Sequence, residues 1–310
     1  MGSTLPEQDA FKGGLYMAVA MAAFTLNDTL VKLVGGDLPV GTLVFVRGAF
    51  ACALLMAAVA WSGALAQLPK IFSGGVALRA SLDTAATLLF ISALMVMPIA
   101  ELTSISQAAP LVSTGLAVLF LGERIGWRRA LAIVTGFLGV LLIVRPQGKM
   151  EGVAGIAIVL VLTIAMRDVV TRRISGGIAV LVVALANGLY VVAGAGILSL
   201  FESGLRVPSA YQTACLAAAG AFLALGYYFM VKTLRYASIA STAPFRYTVV
   251  LWSLLSGAAV FAERPDALAG IGIVLIVASG LYALFREAML RRRQSAVDAV
   301  APSPARKHSQ

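Results

Sequence analysis

Arg47, in the stretch FVRGAF, and Arg246, in STAPFRYTVVLW, each stand inside a long apolar run. A charged side chain at a bilayer centre costs about 2.5–3.5 kcal/mol on insertion scales, so each calls for a partner or a water-filled cavity. The chemistry an arginine fork offers there is two-point recognition of a carboxylate or phosphate. Asp28 lies near the end of the run before that of Arg47, which puts the two at similar depth on adjacent helices and predicts an ion pair. Lys32 is the alternative partner for Asp28, because an acid four residues before a base is the favourable helical order. Arg47 therefore either faces a cavity or buries a structural pair. Arg246 has no acid near it in sequence; a cavity position is expected, with hydrogen bonding to backbone carbonyls as the alternative.

Other polar residues inside apolar runs are weaker candidates for a binding site. Gln107 follows Ser106 in ELTSISQAAPL, Asp83 lies four residues after Arg79, and Asn187 interrupts LVVALANGLY. Tyr228 and Trp252, with Tyr227 and Tyr247, are placed either to stack on a substrate or to pack between helices. Several chemistries are excluded. The only histidine is His308, and Cys52 and Cys215 sit in apolar runs, so no metal cluster, His-dependent protease or disulfide framework is expected. The Gly-Lys of QGKM lacks the upstream glycine and following hydroxyl of a phosphate-binding loop. No catalytic residue and no cofactor is expected.

The elements that must hold these residues are membrane helices. The 310 residues are 60% hydrophobic and 12% charged, with a mean hydropathy of +0.93; soluble domains average about 25% charged. The net charge of +10 comes without a basic, aromatic-interleaved patch, so nucleic acid is not an expected partner. Apolar runs long enough to span a bilayer fall near 14–34, 41–62, 77–97, 101–121, 128–145, 153–171, 178–200, 212–232, 239–261 and 267–285. This predicts an all-α membrane protein of ten transmembrane helices. The basic residues are asymmetric. Lys12, Lys70, Arg79, Arg124, Arg128, Arg129, Arg167, Arg172, Arg173, Lys232, Arg235 and those from Arg286 onward fall on one side; Lys32, Arg145, Lys149, Arg206 and Arg264 fall on the other. Positive charge marks the cytoplasmic side, so both termini are expected there.

Ten spans divide into two halves of five. A gapless shift of the chain by 140 residues lays Asp28 on Asp168, Lys32 on Arg172, Gly36 on Gly176 and Gly48 on Gly188. It also lays Ile99-Ala100 on Ile239-Ala240 and Glu123-Arg124 on Glu263-Arg264, while Arg47 falls on Asn187 and Arg246 on Ser106. An odd number of spans per half makes the repeat inverted. The expected organisation is a leader at 1–12, a first repeat at 13–146, a second at 152–286 and a disordered basic tail at 287–310.

Those halves, closing on LGERIGWRRALAIVTGFLGVLLI and FAERPDALAGIGIVLIVASGLYAL, together with FVRGAF in the second span, resemble the EamA-type transporters of the drug/metabolite transporter superfamily. The resemblance covers roughly 13–286. It implies a multi-pass protein of the bacterial inner membrane that moves small metabolites or amino-acid-like solutes by alternating access, usually outward. Some relatives work as uptake transporters, including of S-adenosylmethionine, so direction does not carry over. The expected partners are the lipid bilayer and a small solute, with a carboxylate suited to Arg47 and Arg246. Proton coupling through Asp28 or Asp83, facilitated exchange and a homodimeric assembly all remain open. The competing class is a non-transporting polytopic enzyme or accessory subunit.

Overall fold

The computed structural model describes residues 7–121, 127–144, 151–173, 178–202, 204–236 and 242–300, and every regular element among them is helical. In order these are α1 (Glu7–Val34), α2 (Val40–Trp61), α3 (Gly74–Leu94), α4 (Ile99–Ser106), α5 (Ala109–Leu121), α6 (Trp127–Val144), α7 (Glu151–Arg173), α8 (Val180–Phe201), α9 (Ala210–Tyr236), α10 (Thr248–Phe261) and α11 (Ala267–Val300). Tight 3-10 turns cover Gly35–Asp37, Ala64–Phe72 and Ala243–Tyr247.

Seven described stretches are long and apolar enough to cross a membrane: Phe11–Asp37, Val40–Trp61, Gly74–Leu94, Val180–Phe201, Ala210–Thr233, Ala243–Phe261 and Ala267–Arg286. The expected fourth span is broken in two, α4 and α5, at Gln107 and Ala108. Pro110 is the cause: it has no N–H to give to the carbonyl of Ser106, so the helix restarts with Pro110 in its first turn. Pro244 stands in the described part of the expected ninth span, where a 3-10 turn, Ala243–Tyr247, precedes α10. At the other end, α11 stays helical to Val300, past the expected boundary at 286. Its Arg, Glu, Ala, Met and Leu content favours that continuation.

The principal packing partners cross between the halves. α1 lies on α9, α2 on α8, α3 on α7 and α6 on α11; α2 also touches α9, and α3 touches α8. The α2–α8 crossing is antiparallel. A Cβ on Gly41 would lie 2.9 Å from the backbone N of Ser199, one on Gly48 2.7 Å from Val192, and one on Gly188 2.7 Å from the Cys52 sulfur. Gly48 and Gly188, 140 residues apart, thus each receive the side chain that stands four residues beyond the other. The α6–α11 crossing is closer still: a Cβ on Gly139 would meet the Gly272 carbonyl at 2.8 Å, so the two backbones touch. In a bilayer, where tails compete for apolar contact, small residues are what let helices approach this closely. The largest apolar core draws on both halves, with Leu43, Leu94, Leu102, Leu160, Leu216 and Ile276 fully buried.

A polar cavity between the two halves

α1, α2 and α3 from the first half and α7, α8 and α9 from the second enclose a cavity of about 300 Å³. Helical spacing sets its walls. Phe24, Asn27 and Asp28 share a face of α1; Arg47, Ala51 and Leu55 descend one stripe of α2; Asn187, Gly188 and Val191 do so on α8. Arg47 and Asn187 hold the same place in their helices, each the eighth residue of a 22-residue element, beginning at Val40 and Val180.

At one end of the cavity sit Asn27 and Arg47, 2% and 4% exposed. Arg47 donates from Nη1 to the Asn27 side-chain oxygen over a long 3.4 Å, and Asn27 donates to Asp28 Oδ1 at 2.8 Å. The expected direct Asp28–Arg47 ion pair is therefore replaced by a relay through the Asn27 amide. Arg47 Nε is the one buried side-chain polar atom among the described residues without a hydrogen-bond partner. An orphaned donor on a buried guanidinium is costly unless a ligand or water completes it.

At the other end, Arg167 is held by two carboxylates. It donates to Asp83 at 2.7 Å and to Asp168 at 2.9 Å, with side-chain exposures of 22%, 14% and 30% for Arg167, Asp83 and Asp168. Arg79 does not pair with Asp83 as their spacing suggests; it reaches across to Asn187 at 2.7 Å and to Thr171 at 3.0 Å. Lys32, the alternative partner for Asp28, instead contacts Glu263, just beyond the end of α10.

Of the candidate residues, the cavity gathers Asp28, Arg47, Asp83 and Asn187. Gln107, Arg246, Tyr228 and Trp252 are not among its lining residues. Gln107 sits at the α4–α5 break, and Arg246 in the 3-10 turn. Trp252 donates to the Ala18 carbonyl, and Tyr228 is 46% exposed beside Phe229. One helical step of 100° separates Tyr228 from Tyr227, which does line the cavity. Arg167, read from sequence as a loop-side charge, is a wall residue; its adjacency to Asp168 and its alignment with Asn27 under the 140-residue shift were the available signals.

This arrangement of apolar helices of membrane length around a cavity with polar residues at both ends is that of a multi-pass membrane protein. A solved crystal structure shares the fold: it superimposes with a TM-score of 0.56 at 16% identity, covering 86% of this chain and 96% of that one. The EamA-like transporter family model matches residues 11–145, and the chain is similar to multi-pass transporters of the bacterial inner membrane. An S-adenosylmethionine uptake transporter of Rickettsia felis is 27% identical over 208 residues, 65% of this chain and 69% of that protein. Its counterpart in Rickettsia prowazekii is 24% identical over 89% of this chain and 93% of its own length. A riboflavin transporter of Rhizobium johnstonii is 25% identical over 93% and 95%.

Proposed function

We propose that the protein carries a small organic solute with a carboxylate or comparable anionic group, and that Arg47 binds that group. The observation that carries this reading is the unpartnered Nε of a guanidinium buried in the wall of a cavity. Arg167, occupied by two carboxylates, is the structural arginine. Asp28 is left with an oxygen free for a cationic part of the solute, and Phe24, Phe90 and Tyr227 supply an apolar and aromatic wall. Relatives named for S-adenosylmethionine uptake and riboflavin transport support an organic solute of this size; S-adenosylmethionine carries a carboxylate.

The transport cycle in this reading is alternating access: two inverted halves of five spans rock about the cavity, with both termini in the cytoplasm. The antiparallel crossings between halves, the 140-residue repeat and the distribution of Lys and Arg support it. The reading holds for export and for uptake alike, and Asp28 or Asp83 is the group through which a proton would couple.

The test is flux into proteoliposomes of radiolabelled S-adenosylmethionine and riboflavin, backed by metabolite profiles of cells overproducing the protein. A carboxylate-bearing solute should move with the wild type and fail to move with Arg47→Ala. Undiminished flux in that variant removes Arg47 from the site.

A further inference from the structure

Away from the cavity, the strongest polar cluster lies where α1, α4 and α10 end together. Lys32 Nζ contacts Glu263 Oε1 at 2.5 Å and donates to the Met97 carbonyl at 2.6 Å. The second Glu263 oxygen accepts the backbone N–H of Ile99, the first residue of α4, at 2.9 Å. That N–H is one of the donors a helix start leaves unsatisfied, and a carboxylate there also meets the positive end of the helix dipole. Lys32 in turn sits at the negative end of α1 and 5.2 Å from the centre of the Phe261 ring.

The backbone is shaped to deliver this contact. Ala262 adopts φ 53°, the left-handed region that non-glycine residues rarely enter, and so closes α10 and turns Glu263 back over α4. Gly257 makes room for the carboxylate: a Cβ there would lie 3.1 Å from Glu263 Oε2. One turn deeper, the Thr29 and Ser256 hydroxyls join the same two helices.

Two features separate this cluster from an ordinary helix-end staple. It crosses between halves, since Lys32, Met97 and Ile99 belong to the first and Glu263 to the second. It also lies beyond the end of the cavity walled by Asn27 and Arg47, which are 2% and 4% exposed. Two halves that rock apart at the Lys32 end must break these contacts. An ion pair suits that task, because its charges regain water on opening, while a buried apolar seam would have to be exposed.

We propose that Lys32 and Glu263, acting on the Met97 carbonyl and the Ile99 N–H, form the latch that holds the cavity closed at the α1–α10 end. This rests on the alternating-access reading above. Opening of that end is therefore gated by an exchangeable ion pair. Lys32 and Glu263 contact no solute; they set which end of the cavity is open.

The experiment follows a cysteine reporter at Thr87, which lines the cavity, in a chain with Cys52 and Cys215 replaced. A membrane-impermeant maleimide is applied to right-side-out and to inverted vesicles. Without latch changes, the reporter should label from the Arg167 side and resist labelling from the Lys32 side. Lys32→Met and Glu263→Gln should each raise labelling from the Lys32 side at least about fivefold, the low end of typical coupling between two states. Glu263→Gln still offers an oxygen to the Ile99 N–H, so it isolates the ion pair from the helix cap. Lys32→Arg should keep the one-sided pattern and shows that the position tolerates change. One-sided labelling that survives both Lys32→Met and Glu263→Gln overturns the latch alone. A reporter that labels from neither side in any variant overturns the latch and the transport reading together.

Discussion

Asn27, Asp28 and Arg47 at one end of the cavity correspond, position for position under a shift of 140 residues, to Arg167, Asp168 and Asn187 at the other. The aspartate is kept, while arginine and asparagine have traded places. Where the arginine is on the second helix of its half, it meets a neutral amide at 3.4 Å and keeps a donor unspent. Where it stands on the first helix of its half, it lies beside an aspartate and opposite Asp83, and both carboxylates claim it. Residue type alone does not decide whether a buried arginine is fully paired; the count of nearby acids does. The second half has a neutral leucine, Leu223, at the position matching Asp83, so Arg47 meets no counterpart of the carboxylate that Asp83 offers Arg167.

The sharpest way to break the comparison is at Arg47. Arg47→Ala should reduce solute flux about 10- to 100-fold, the equivalent of the 1.5–3 kcal/mol of a hydrogen bond to a charged group. Thermal stability in detergent should hold or rise, because a buried and incompletely paired charge is removed. Exchanging the pair, Asn27→Arg with Arg47→Asn, gives the first half the arrangement of the second. The new arginine should be claimed by Asp28, so the protein should fold and show a similar loss of flux.

At the opposite end, the effect should appear in stability. Asp83→Ala strips one of the two carboxylates from Arg167 and should cost about 2–3 kcal/mol, between the exposed and fully buried limits for ion pairs. A thermal melt measures it, and Asp83→Leu combined with Arg167→Met should recover most of the loss. The smallest effect tests the packing symmetry: Gly188→Ala should cost about 1 kcal/mol by pressing on Cys52. Cys52→Gly should relieve it, as Val192→Ala should relieve Gly48→Ala.

Much of this was legible in the chain. Apolar runs of membrane length located the helices, and the 140-residue shift marked positions that turn out to meet across α2 and α8. The break at Gln107 was missed because hydropathy is blind to Pro110, whose effect is a lost backbone donor. Asp28, Arg47, Asp83 and Asn187 were readable because each is a polar residue inside an apolar run. Their pairings were not. Spacing of i and i+4 offered Asp28 with Lys32 and Arg79 with Asp83, yet tertiary partners elsewhere in the chain took Lys32, Arg79 and Asp83 instead. A local pair at a helix surface is worth a few tenths of a kcal/mol, too little to compete with a partner held in place by packing. Arg246 lacks any nearby acid in sequence, yet it stands in the 3-10 turn at Pro244 and does not line the cavity.

The reciprocal contacts of Gly48 with Val192 and of Cys52 with Gly188 carry one more consequence. A helix with glycine at one position and a larger residue four places on fits an antiparallel copy of itself, each notch receiving the other's knob. A gene encoding only one such half would already specify a self-complementary pair. Duplication and fusion would then inherit a finished interface, and any later change on one side would be answered for by its counterpart on the other.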